Sequence, residues 1–249
     1  MGVGGDVPRD GALPLPGGLR GEWRPEGDAP PLTPHAWERE TRPGVYVLPG
    51  DFDQCHVRAG RTAAGLTELS DDYPEAQLLD FGLGYLRIFY RTRSEGLSYG
   101  TTTRLVANAD RGEFYVMGST RPDKLVDLLR AVREEVEAVA ARPLDEGEAT
   151  TARTFMLGTK VRGMETAGDI VRTRLAEVAK GFPDGYTERL VSGLQAATPA
   201  SVAAAAERYV GIGEAPVVVV VGMPEGGVEA LEALGWGPVT VLEPVAFGE

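Results

Sequence analysis

Sixteen of the first 43 positions are glycine or proline, eight of each, and from Gly44 onward that texture ends. Proline fixes φ and removes a backbone donor while glycine loosens the chain, so residues 1–43 cannot build a regular core. Within them, 25–34 reads as an extended linker. A core must therefore come from residues 44–249, where alternation and helical periodicity begin. The organisation expected is a Gly/Pro-rich segment, 1–43, followed by one α+β domain, 44–249.

Inside that domain, 45–48 and 54–59 read as strands separated by a Pro-Gly-Asp turn at 49–51. Asp71 or Asp72 is placed to cap a helix through Leu78, Leu79, Leu83, Leu86 and Phe89, with Gly96 as its left-handed end. Segments 98–107 and 112–118 read as a strand pair. Residues 123–141 carry Leu125, Leu128, Leu129, Val132, Val136 and Val139 as one apolar stripe. Asp145 with Glu148 forms a capping-box pattern, and Thr198 before Pro199 is a second helix start. Further helices fit 165–180, 184–196 and 228–234. The apolar run 216–221 reads as a strand buried on both faces, and 238–242 as a closing strand. This order predicts a layered antiparallel or mixed sheet with helices packed on one face.

Charge and composition remove several classes. Lys and Arg total 25 against 37 Asp and Glu, a formal charge of −12 over 249 residues. Nucleic-acid binding demands a basic face, and anionic membranes attract basic segments, so neither partner is expected. The single cysteine, Cys55, forms no internal disulfide. His35 and His56 have no ligand neighbours at metal-binding spacing, so no metal of its own is expected. No apolar run approaches the roughly 20 residues of a membrane span, and no secretory signal opens the chain. A cytoplasmic protein is the resulting expectation. Gly2-Val-Gly-Gly5 precedes a Pro-rich stretch instead of a helix, which favours a flexible end over a phosphate loop. Cys55 and His56 are strand neighbours on opposite faces, so a buried inert thiol is favoured over a Cys–His dyad.

One segment concentrates chemistry: Arg87-Ile-Phe-Tyr-Arg-Thr-Arg93-Ser-Glu-Gly96-Leu-Ser-Tyr99-Gly100. An arginine-rich helix ends at a glycine and passes into what reads as a strand beginning Ser98-Tyr99. The junction places a guanidinium and a phenol close together, both able to donate to a peptide carbonyl or a developing oxyanion. A solvated basic helix face beside a half-buried tyrosine is the plainer alternative.

These residues resemble the insulinase/pitrilysin-type zinc peptidases, with their relatives the mitochondrial processing peptidases and respiratory core proteins. The resemblance rests first on Gly96-Leu-Ser-Tyr-Gly100 after an arginine-bearing helix. It extends to Asp80-Phe-Gly-Leu-Gly84, Leu144-Asp-Glu-Gly-Glu148, Thr198-Pro-Ala-Ser-Val202, Ala206-Glu-Arg-Tyr209, 216–222 and Gly235-Trp-Gly-Pro238, an ordered set over about 45–245. Val3-Gly-Gly-Asp-Val7 and Gly21-Glu-Trp23 are similar to the last strand and helix of the family's preceding unit. Residues 1–43 thus resemble a vestige of that unit plus a linker, and 44–249 a single insulinase-like C-terminal half-unit.

In that family one half carries His-x-x-Glu-His on zinc and the other contributes an Arg/Tyr pair. The inverted zinc motif is absent here. The resemblance therefore implies a non-zinc subunit or C-terminal half of a metallopeptidase, inactive alone, that meets a zinc-bearing partner and a peptide substrate as a heterodimer. Arg93 and Tyr99 are the residues implied to hold substrate and support its transition state, with Arg91 the alternate. The family's arginine falls seven residues before the tyrosine, where this chain has Thr92; a one-residue deletion after Arg93 accounts for the difference. No cofactor is implied in this chain, and zinc is implied in the partner. The altered spacing and the broken first segment favour an alternative, a catalytically inactive scaffold of the same fold. A peptide-binding module acting alone is disfavoured, because half a clamshell leaves its cleft open to water.

Overall fold

Alternation of buried and exposed residues sets the sheet. In the computed structural model, which describes residues 42–108, 112–211, 216–223 and 227–243, the strand Cys55–Ala63 (β2) buries Cys55, Val57, Ala59 and Ala63 and exposes His56, Arg58, Arg61 and Thr62. Its neighbours follow: β1 (Gly44–Pro49) buries Val45 and Val47, and β5 (Val217–Met223) buries Val218 and Val220. With β3 (Thr102–Ala107), β4 (Gly112–Thr120) and β6 (Val239–Val241) they form one sheet in the order β3-β4-β2-β5-β1-β6. β1 runs parallel to both β5 and β6; the remaining pairs are antiparallel. The mixed sheet and its helical layer agree with the α+β architecture read from the sequence. Residues 1–41, which hold nearly all of the Gly/Pro-rich segment, and 109–111, between β3 and β4 in sequence, lie outside the described residues.

Helices begin where the sequence places their caps. Asp145 Oδ1 accepts the Glu148 backbone N–H at 2.8 Å, and Glu148 Oε2 accepts that of Asp145 at 2.9 Å, the reciprocal box that opens Glu146–Arg162. Thr198 and Ser201 make the second box, at the start of Pro199–Tyr209. The stripe in Leu125–Ala141 is buried as its spacing requires. In chain order among the described residues, α1 is Tyr73–Phe81, α2 Tyr90–Ser94, α3 Leu125–Ala141, α4 Glu146–Arg162, α5 Ala167–Ala179, α6 Tyr186–Ala196, α7 Pro199–Tyr209 and α8 Val228–Glu232.

Three local details differ from expectation. Asp72 precedes α1 but its side chain caps nothing; it accepts the Tyr209 hydroxyl at 2.8 Å and Arg208 Nη1 at 3.1 Å, tying α1 to α7. Burial and that carboxylate push the Tyr209 phenol up to about 12. Between α1 and α2 the helix does not stay α: Gly82–Phe89 is a π-helical segment. β3 starts at Thr102 instead of Ser98, because Ser98 diverts the chain into a side-chain-bonded turn.

The described chain divides into two units, 158–186 and 42–157 with 187–243. The smaller contains α5, whose N-cap Thr166 Oγ1 accepts the Asp169 N–H at 3.1 Å and none of whose residues is buried. The larger contains the sheet and the core.

Candidate functional site

Two glycines bring the π-helical segment against its neighbours. A Cβ at Gly84 would lie 2.8 Å from the Thr103 backbone nitrogen, and one at Gly82 would meet the end of the Leu144 side chain. At Gly84, where the neighbour is backbone, only glycine allows this approach. Asp80 fastens the same region to the sheet edge: its Oδ1 accepts the Thr103 hydroxyl at 2.7 Å and the Leu105 backbone N–H at 3.0 Å. Burial raises this carboxyl to about 6, although both hydrogen bonds and Arg104 pull the other way.

Past α2 the chain turns on Gly96, at φ +67°. The Leu97 and Ser98 N–H groups return to the Thr92 carbonyl at 2.8 and 3.1 Å. Ser98 Oγ donates to the Ser119 carbonyl at 2.7 Å and accepts the Gly100 N–H at 3.2 Å. Tyr99 sits on this pinned turn, one residue past Ser98, with 81% of its surface exposed. Its place is a loop and not a strand.

Arg93 reaches it. The guanidinium carbon lies 4.6 Å from the Tyr99 ring centroid and 5.6 Å from that of Phe89. Among the described residues Arg93 makes no ion pair or hydrogen bond, and the Tyr99 hydroxyl has no partner. A guanidinium held on ring faces keeps its N–H donors available while its position is fixed.

The other arginines of the segment are committed to structure. Arg91 bonds Glu134 at 2.6 Å, Glu95 at 2.9 Å and Glu135 at 3.1 Å, which raise its pKa further. Arg87 bonds Glu148 and the carbonyls of Arg142 and Pro143 at 2.6–2.8 Å. Thr92, at the position where the family places its arginine, is buried with its hydroxyl on the Ile88 carbonyl at 2.8 Å. Of the two arginines singled out from sequence, the structure brings Arg93 to Tyr99 and turns Arg91 to α3.

Cys55 and His56 point to opposite faces. Cys55 is buried, its thiol pushed up by desolvation and donating to the Gly222 carbonyl at 3.4 Å. His56 lines a hollow of about 310 Å³ on the sheet face opposite Cys55, with Arg58, Met117, Ser119, Val219 and Gly100, the residue after Tyr99. No three His, Cys, Asp or Glu side chains among the described residues gather as a metal site. A zinc ion does not fit the chemistry these residues offer, since the lone thiol is sealed in the core and His56 stands apart from it.

Sequence reasoning missed a second feature beside the pair. Phe81, Tyr85, Leu86 and Tyr90, with Thr150, Thr151, Thr154 and Phe155 of α4, line a groove of about 650 Å³. The four-residue spacing of Phe81, Tyr85 and Phe89 was its signal, but that spacing also serves a core-facing helix.

The chain belongs to the peptidase M16 inactive domain family, whose model matches residues 2–156. The match starts within the Gly/Pro-rich segment, so the family pattern includes it. A curated relative, an uncharacterized zinc protease of Streptomyces coelicolor, is 28% identical over 190 residues, covering 74% of this chain and 41% of the relative. The chain thus spans about two fifths of that relative's length. Among solved structures, the peptidase M16 inactive domain from Pseudomonas fluorescens is similar with a TM-score of 0.75 at 21% identity, over 88% of this chain and 52% of that one. A protease from Helicobacter pylori gives 0.75 at 13% identity over 88% and 54%. The periplasmic protease PqqL from Escherichia coli gives 0.73 at 14% identity over 89% and 25%. These structural likenesses establish the fold. No helix among the described residues is long and apolar enough to cross a membrane.

Proposed function

We propose that this chain is the non-zinc subunit, or C-terminal half, of an insulinase-like metallopeptidase, and that Arg93 and Tyr99 hold the peptide for a zinc-bearing partner in the cytoplasm. In this reading 44–249 act as the domain and 1–43 as the remnant and linker of a preceding unit. The supporting observation is the exposed Arg93–Tyr99 contact at 4.6 Å, whose donors no described residue engages. A peptide carbonyl placed before the pair receives N–H from the guanidinium and O–H from the phenol. Both bonds strengthen as negative charge grows on that oxygen during attack, which is how such donors lower a barrier.

Each donor is expected to contribute about 2.7–4 kcal/mol. The test is to mix the purified chain with the zinc-bearing subunit and follow cleavage of a quenched fluorescent peptide. Arg93→Ala and Tyr99→Phe are each expected to lower kcat/KM by about 10²–10³, and Arg91→Ala to leave it nearly unchanged once folding is confirmed. The shortened Arg–Tyr spacing favours a second reading, an inactive scaffold of the same fold. Undiminished cleavage with the Arg93→Ala, Tyr99→Phe double variant, together with stable association, establishes the scaffold instead.

A further inference from the structure

We propose that the groove between the π-helical segment and α4 is the subsite that receives a large aromatic side chain of the peptide held at Arg93 and Tyr99. The proposal deepens the reading above and rests on it for the position of the backbone, though not for the existence of the groove.

The π register builds the groove. In an α-helix a residue five positions on lies roughly 140° around the axis. Hydrogen bonding to the fifth residue brings it onto the same face, and such segments recur at functional sites. Tyr85 accordingly meets both Phe89, at 5.0 Å between ring centroids, and Tyr90, at 5.4 Å, while Phe89 and Tyr90 meet at 5.6 Å. On the other side Phe81 stacks on Tyr85 at 5.2 Å and on Phe155 of α4 at 4.2 Å. Stacked rings that served only the core would be buried, yet Tyr85 and Tyr90 keep 41% and 52% of their surface exposed. A row of ring faces left open to water at this size is a surface that binds something.

Chemistry selects the occupant. No charged residue lines the groove on a chain of net charge −12. The hydroxyls of Thr151 and Thr154 donate to carbonyls of their own helix, at 2.8 and 2.9 Å, so they do not offer those protons to a ligand. A cationic side chain finds no carboxylate there and meets the Arg93 guanidinium near the end of the ring row. An aromatic side chain finds ring edges and faces at stacking distance. The row is continuous with the catalytic pair: Phe89 touches Tyr85 at one side and the Arg93 guanidinium at 5.6 Å on the other, and Arg93 touches Tyr99. A single peptide can therefore place a carbonyl or terminal carboxylate at Arg93 and a ring in the groove.

Binding of Ac-Ala-Phe-Ala-NH2, Ac-Ala-Lys-Ala-NH2 and Ac-Ala-Ala-Ala-NH2 to the full chain, followed by saturation-transfer NMR and titration, tests this without any partner. The phenylalanine peptide is expected to bind about tenfold tighter than the other two, its ring protons receiving the strongest transfer. Phe155→Ala and Tyr90→Ala, both at exposed positions and checked by circular dichroism, are expected to abolish that preference. Equal affinity for the three peptides, no detectable binding, a preference for lysine, or a preference untouched by both variants overturns the proposal. So does self-association lost in Tyr90→Ala, which makes the groove a contact between copies. Arg93→Ala separates the two ideas: weaker binding of every peptide with the phenylalanine preference intact supports both. An Arg93→Ala chain that binds all three as the parent does removes the role of the pair and leaves the groove standing.

Discussion

Asp80 carries a burden out of proportion to one side chain. It receives the Thr103 hydroxyl and the Leu105 N–H, closing part of the outer edge of β3, where an unpaired backbone row would invite another chain. Burial lifts its carboxyl from 3.8 to about 6. The folded state therefore holds this proton more tightly than the unfolded state does. The resulting stabilisation is complete below about pH 4 and is lost as pH rises through about 6, a change of about 3 kcal/mol at most. Asp80→Asn keeps an acceptor and removes the titration. Urea unfolding of both proteins between pH 4 and 7.5 is expected to show the variant gaining on the parent as pH rises; parallel curves would locate the proton elsewhere. Arg93 and Arg91 make a complementary point. Two positions apart on one short helix, one is fixed by three carboxylates and the other by ring faces alone, so their exchange is not conservative.

At the scale of elements, the caps and the apolar stripe were legible because their signals are local. Asp145 with Glu148, Thr198 with Ser201 and the spacing from Leu125 to Val139 need only their own helices. What depends on distant residues was not legible. Asp72 looks like a cap and is claimed by Tyr209 from the far end of the chain. Ser98 and Tyr99 look like strand residues, yet the Ser119 carbonyl pulls them into a turn. The Arg93–Tyr99 juxtaposition was readable from the helix end at Gly96, whereas the choice between α and π register was not. That choice belongs to packing at Gly82 and Gly84. Gly84→Ala would raise helix propensity by about 1 kcal/mol, yet its Cβ meets the Thr103 backbone. A net loss of about 1–3 kcal/mol is expected from overpacking, measured as a lowered unfolding midpoint, with the 85–90 ring contacts disturbed in aromatic NMR shifts.

For the molecule as a whole, burial is unevenly shared. β5 lies between β1 and β2 with Val218 and Val220 fully covered, while α5 in the smaller unit has no buried residue. Opening free energies follow buried contacts. Native-state amide exchange is expected to give β5 protection near the global unfolding free energy and α5 protection at least a hundredfold weaker, on the order of the difference between core and marginal segments. Comparable protection in the two would show that α5 is buried against something in solution.

The parallel pairing of β1 has one more implication. Residues 44–49 bond on both sides to strands more than 160 positions later, at 217–223 and 239–241. A nascent chain leaving the ribosome must therefore keep β1 waiting, apolar and unpaired, until residues 217–241 have emerged. Any product halted before that point would leave β1 and one side of β2 as sticky borders, material for chaperones or for inclusion bodies.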